Sequence, residues 1–254
     1  MKLLENRVAN CGRYVSRAEI LSAVQNALPC AWHPKYGPTP APEASTSKWP
    51  KLNHQGREEI LRNPHGLADL WDLSSPTLDD NTRQTEYIID RLFPGNPLLC
   101  CGQSSREFDT KPREQWRGQL SRLQFIVPSP MLDVNGLTKD GRLSRHTLAN
   151  TGPRRFLVCE FDTGSADDHA ALLLHLATLA PLVCVVHSGG KSLHGWFYAH
   201  GRPEAQVEGF FRYAVSLGAD PATWTRSQFV RMPDGTRNNG KCQTIFFLNL
   251  KQVQ

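Results

Sequence analysis

Two pairs of residues in the C-terminal half of the chain have types and spacing suited to chemistry. Glu160 and Asp162 are two apart in Leu157-Val-Cys-Glu160-Phe-Asp162, and Ser192 and His194 are two apart in Ser188-Gly-Gly-Lys191-Ser192-Leu-His194. On a strand, residues i and i+2 leave the same face. Two carboxylates on one face suit Mg²⁺ or Mn²⁺, hard cations that take oxygen ligands and share their other positions with water and phosphate. A histidine can donate to a phosphate oxygen, with Lys191 as a point charge beside it. A third stretch, Arg231-Met-Pro-Asp234-Gly-Thr-Arg237 followed by Asn238-Asn-Gly-Lys241, mixes turn residues with cations able to clamp a triphosphate or a strand backbone.

Each pattern has a plainer alternative. Glu-Phe-Asp also describes a strand end entering solvent, and a Gly-rich hairpin followed by a partly buried histidine needs no ligand. Arg237 and Lys241 suit a solvated turn, and Asp220 before Pro221 suits the turn that ends a helix. Gly190-Lys191-Ser192 is not a phosphate loop, because position 185, where that motif requires glycine, is Val. Cys30-Ala-Trp-His33 has ligand-like spacing but no partner pair for zinc. His187, Trp196 and Trp224 read as core or rim residues.

The elements that position these residues follow from hydrophobic periodicity. The pattern predicts strands at 155–161, 182–187 and 193–199, and a fourth starting at 228–231. Helices are predicted at 166–179, opened by a Ser165-Ala-Asp-Asp168 capping box, and at 204–217. The order is β-α-β-β-α-β, the split βαβ arrangement, with Thr244–Leu248 as an added strand. Right-handed crossovers then set the first and third strands side by side and antiparallel, with the fourth on the other side of the first. Glu160, Asp162, Lys191–His194 and the stretch from Asp220 to Arg231 should converge at one sheet end. That proximity raises Asp220 above a turn residue.

Upstream, Ser16-Arg-Ala-Glu19 reads as a capping box opening a helix that ends at Pro29. Residues 29–50 hold six of the chain's 18 prolines and read as a linker. The expected division is a helical segment 1–28, a Pro-rich linker 29–50, an accessory region 51–150, and the motif-bearing unit 151–254. Within 51–150, helices are predicted near 53–62 and 82–93, a strand at 123–127, and turns at Asn135-Gly136 and Asp140-Gly141. The fold class is α+β, an antiparallel sheet with added strands plus a mainly helical N-terminal region.

Composition narrows the classes. Of 254 residues, 39% are hydrophobic and 21% charged, which fits a folded chain rather than a disordered one or a membrane bundle. The apolar run from Ala170 to Val186 is broken by His175, Thr178 and Pro181, and the start resembles no signal peptide. A cytoplasmic location without membrane attachment is therefore expected. Seven cysteines, only two of them adjacent, suggest no disulfide framework. The net charge of +5 is spread evenly, with 10 Lys and Arg against 8 Asp and Glu in 151–254, and so permits a nucleic-acid partner without arguing for one.

Taken in order, the three motif segments resemble the catalytic core of the archaeo-eukaryotic primase superfamily, the prim-pol proteins of plasmids, phages and mobile elements. Leu157–Asp162 is similar to its first motif and Ser188–His194 to its second. Asp220 with Arg226–Arg237 is similar to its third, and the resemblance spans roughly residues 153–250. It implies a sheet related to RNA-recognition folds and a DNA primase or polymerase activity with two divalent metals, Mg²⁺ or Mn²⁺. Carried onto this chain, Glu160, Asp162 and Asp220 would ligate metal, and His194 would bind nucleotide phosphates with Lys191, Arg231, Arg237, Ser188 and Ser192 assisting. Asp234 interrupts the expected Pro-Gly pair and competes with Asp220 for the third acid. The implied partners are a single-stranded DNA template, nucleoside triphosphates and a separate helicase, since no phosphate loop is present. Two rivals stand beside this reading: a non-catalytic nucleic-acid-binding module of a replication initiator or defence system, and a metal-dependent nuclease.

Overall fold

The computed structural model describes residues 49–62, 65–75 and 83–253. The expected helix after Ser16, the Pro-rich linker up to residue 48 and the Cys30–His33 pair lie outside the described residues. Two small helices come first, α1 (His54–Leu61) and α2 (Leu67–Asp72), followed by α3 (Thr85–Leu92). Asn53 caps α1 by accepting from the Gly56 N–H at 3.0 Å.

Ten strands form three sheets among the described residues. β1 (Leu98–Gly102), β2 (Phe108–Pro112), β3 (Phe125–Ile126) and β9 (Val230–Arg231) form one, in the order β2-β1-β3-β9. β6 (Phe156–Phe161), β7 (Leu182–His187), β8 (Leu193–Tyr198) and β10 (Ile245–Leu248) form another, in the order β10-β7-β8-β6. β4 (Gly136–Leu137) and β5 (Leu143–Ser144) make a separate hairpin. Helix α4 (Ala166–Ala177) joins β6 to β7, and α5 (Glu204–Ser216) follows β8.

The capping box predicted for α4 is present in both directions. Ser165 Oγ accepts from the Asp168 N–H at 3.1 Å, and Asp168 Oδ2 accepts from the Ser165 N–H at 2.8 Å. β8 lies between β6 and β7 and runs antiparallel to both, so β6-α4-β7 is a split βαβ unit. The expected fourth position is corrected: β9 does not flank β6 but pairs with β3 in the other sheet. The free edge of β6 is taken instead by the chain after α5, through a Phe161–Ala219 bridge and an Asp220 N–H donated to the Glu160 carbonyl at 2.8 Å. A short 3₁₀ turn, Pro221–Trp224, then carries the chain away. Asn135-Gly136 is also corrected, because Gly136 opens β4; the hairpin turn lies at Asp140-Gly141.

Alternation along β6 and β8 sorts their side chains between two cores. Leu157, Cys159, Phe161, Leu193 and Phe197 pack with α4 and α5. Phe156, Val158 and Trp196 face the other way, onto Ile88, Ile89 and Leu92 of α3, Ile126 of β3 and Val230 of β9. Each fully buried Leu or Phe contributes about 2 kcal/mol, so the two sheets are held against each other chiefly by this second core, which joins residues on both sides of position 150. Glu160 and His194 share the parity of Val158 and Trp196. They therefore leave the sheet on the side that faces β9, where the apolar packing ends.

The five described cysteines are free, four of them buried. Among the described residues no helix is long and apolar enough to cross a membrane.

Candidate active site

Glu160 and His194 are directly opposite in the β6–β8 ladder. His194 Nε2 lies 3.2 Å from Glu160 Oε1, and because a carboxylate only accepts, that nitrogen carries the proton. Ser192 Oγ donates to the same oxygen at 3.0 Å and lies 3.1 Å from Ser188 Oγ, which in turn accepts from the Ser192 N–H at 3.2 Å. The His194 side chain is 2% exposed and Glu160 21%. Burial alone would raise the Glu160 carboxyl; the His194 hydrogen bond and charge, the Ser192 hydrogen bond and the Arg231 charge together outweigh it. The carboxyl is held below its usual value.

Asp162 stands one residue beyond the end of β6 and is exposed. Its carboxyl moves the opposite way: the water displaced by its neighbours comes first, then the negative charges of Glu160 and Asp220, and together they raise it. Asp220 is brought there by its backbone bond to Glu160, while its own Oδ1 accepts from the Ala222 N–H at 2.9 Å. The three acids are thus neighbours. They do not form a closed cage: among the described residues, no three His, Cys, Asp or Glu side chains are grouped to hold a metal ion.

The turn between β7 and β8 brings the cations. Gly189 has φ of +70°, and a Cβ there would sit 2.8 Å from the Cys242 carbonyl oxygen, so the turn requires glycine. Arg237 packs on this turn and donates from Nη1 to the Ser188 carbonyl at 3.3 Å. Lys191 is exposed at its tip. Arg231, on β9, lies with its guanidinium 4.8 Å from the Phe125 ring centre and donates to Gln124 Oε1 at 3.3 Å.

Asp234 takes no part in this cluster. Its Oδ2 accepts from the Gln84 N–H at 2.8 Å and the Thr85 hydroxyl at 2.9 Å, and its Oδ1 pairs with Arg83 at 3.2 Å. It caps α3 from the far end of the chain and holds a positive φ of +57° while doing so. Of the two competitors for the third acid, Asp220 is the one beside Glu160 and Asp162.

No protein-family model matches the chain, and no curated protein matches it. Among solved structures, the AEP domain of the primase-polymerase (PrimPol) of cyanophage S-2L is similar, with a TM-score of 0.44 and 16% identity. The match covers 67% of this chain and 94% of that one.

The donor set fits a hard divalent cation. The acids offer oxygen ligands, and Asp162 stands in the negative field of two other carboxylates, which His194 and His169 offset only in part, the condition a cation relieves. With Glu160 Oε1 already bound by two donors, the fit is to a cation that keeps water and phosphate ligands rather than to an all-protein cage.

Residues that sequence reasoning did not single out also shape the site. Gln124 holds Arg231, and Gln243, wholly buried, donates to the Gln124 and Met232 carbonyls at 3.1 and 2.8 Å. Arg57 spans the two acid-bearing loops. Amides and a single helical arginine carry no spacing signal, so no pattern within the chain marks them.

Proposed function

We propose that the chain is a primase-polymerase-like nucleotidyltransferase that adds nucleotides to a primer, or begins one, on a single-stranded DNA template. The observation that carries the reading is the meeting of two acidic segments far apart in sequence. The Asp220 N–H is bonded to the Glu160 carbonyl, and the Asp162 carboxyl feels both other acids. Motif order along the chain supports it as well.

Asp162 and Asp220 would supply the carboxylate oxygens that hold Mg²⁺ or Mn²⁺. Held there, a divalent cation would supply the charge that lowers the pKa of an attacking hydroxyl and offsets negative charge on a leaving pyrophosphate. Glu160, fixed by Ser192 and His194, holds the negative field in place. In this geometry His194 acts through Glu160 rather than on a phosphate. Lys191 and Arg237, on and beside the Gly-Gly turn, take the triphosphate oxygens, and Arg231 adds positive charge facing Glu160.

The test is labelled-nucleotide incorporation on a single-stranded template with Mn²⁺. The wild-type chain should extend a primer, and Glu160→Ala/Asp162→Ala should not; a double variant that retains incorporation rejects the assignment. A second reading, a binding module without chemistry, is favoured by one observation, the occupation of Glu160 Oε1 by two protein donors. It predicts salt-dependent single-strand binding that survives the double substitution, with no incorporation by either protein.

A further inference from the structure

Arg57, on α1, reaches two loops that the motifs do not connect. Its Nη1 donates to the Leu217 carbonyl at 2.6 Å and its Nη2 to the Thr163 carbonyl at 2.7 Å. Thr163 follows Asp162 directly, and Leu217 lies three residues before Asp220. One planar fork therefore ties together both acid-bearing loops. The space it occupies is left open by Gly164 and Gly218: a Cβ on the first would lie 3.1 Å from Nη2, and one on the second 2.8 Å from Nη1. The guanidinium carbon also lies 6.0 Å from the ring centre of Phe161, the last residue of β6. Two further contacts brace the clamp. The Asn53 N–H donates to the Ser216 carbonyl at 2.7 Å, and His169 Nε2 lies 3.2 Å from the Thr163 carbonyl oxygen.

We infer that Arg57 is a positioning residue for the acidic cluster, setting the separation and orientation of the loops that carry Asp162 and Asp220. Its charge is not the only requirement. A guanidinium presents several donors in a fixed plane and can bind two carbonyls at once, whereas a lysine ammonium is a flexible point charge that does not hold two loops at a set distance. The clamp rests on its contacts alone; its consequence for cation binding rests on the functional reading above.

The test uses the full chain with Arg57→Ala and Arg57→Lys, read by hydrogen exchange and by Mn²⁺ titration. The Asp220 amide, donated to the Glu160 carbonyl, should lose protection about tenfold in Arg57→Ala and less in Arg57→Lys, while β7 amides keep theirs. Mn²⁺ affinity should fall in the same order, about tenfold for the alanine variant. Unchanged exchange at Asp220 overturns the clamp, and an equal loss of protection in β7 overturns it in favour of general stability. If Arg57→Ala does not fold, Arg57→Lys carries the same comparison. Loosened loops with unchanged Mn²⁺ affinity overturn the positioning role. A wild-type chain that binds no Mn²⁺ overturns the functional reading, and the exchange result then judges the clamp by itself.

Discussion

Glu160 and Asp162 are two residues apart, yet neutralising them should change stability in opposite directions. Glu160→Gln keeps the side-chain shape and removes the charge that accepts from Ser192 at 3.0 Å and His194 at 3.2 Å. A neutral hydrogen bond contributes about 1 kcal/mol and one to a charged group about 2, so an acceptor of two bonds loses about 2 kcal/mol on neutralisation. Release from burying a carboxylate returns about half of that. The net loss expected at neutral pH is about 1 kcal/mol, or about 2–4 °C in Tm. Because the folded Glu160 carboxyl lies below its usual value, this stability is present above the usual carboxylate range and is lost as pH falls through the folded value. The gap between wild type and Glu160→Gln should therefore close in acid.

For Asp162 the sign reverses. Its folded carboxyl is raised, so its charged form is penalised, fully above the raised value and not at all below the usual one. The residue is exposed and solvent screens the repulsion, so Asp162→Asn should gain only about 0.5 kcal/mol at neutral pH and nothing in acid. Urea unfolding of the three proteins from about pH 8 to about pH 3 measures both effects. A Glu160→Gln protein as stable as wild type at neutral pH, or one whose deficit persists undiminished into acid, would show that the Ser192 and His194 contacts do not favour the ionised carboxylate.

Other expectations follow from single contacts. Asp220→Asn keeps an acceptor for the Ala222 N–H and should leave the melting temperature within a degree or so, about the scatter of surface changes, while abolishing incorporation. Asp234→Ala should cost about 1–2 kcal/mol by uncapping α3 and retain incorporation; a folded but inactive Asp234→Ala would return that residue to the role of third acid. Gly189→Ala forces a side chain into positive φ and onto the Cys242 carbonyl, costing about 1–2 kcal/mol. It also presses on Arg237, so affinity for a fluorescent nucleoside triphosphate should fall with stability.

Much of the sheet that bears Glu160 was legible in the chain because local signals agree with one another there. The α4 capping box, the apolar runs of β6 to β8 and the turn glycines each specify structure over a few residues, and β7 was bounded to the residue. The region 98–150 was far less legible. β1 and β2 gave no clear periodicity, since Cys100 and Cys101 are both buried between packed layers while β2 alternates little in burial.

Residue type and spacing by themselves determined which groups can do chemistry: two acids sharing a strand face, a Ser-x-His pair entering a strand, and a basic turn. They also determined the split βαβ order, because helical and strand periodicities are local properties. Only the tertiary structure decided which acids meet. The free edge of β6 could have been taken by β9 or by the chain after α5, and a two-residue strand held in the second core does not compete with a bridge at Ala219 backed by the Asp220 amide. That choice put Asp220 beside Glu160, sent Asp234 to cap α3, turned His194 onto a carboxylate and gave Arg57 two loops to hold, all through contacts between residues whose separation along the chain carries no signal.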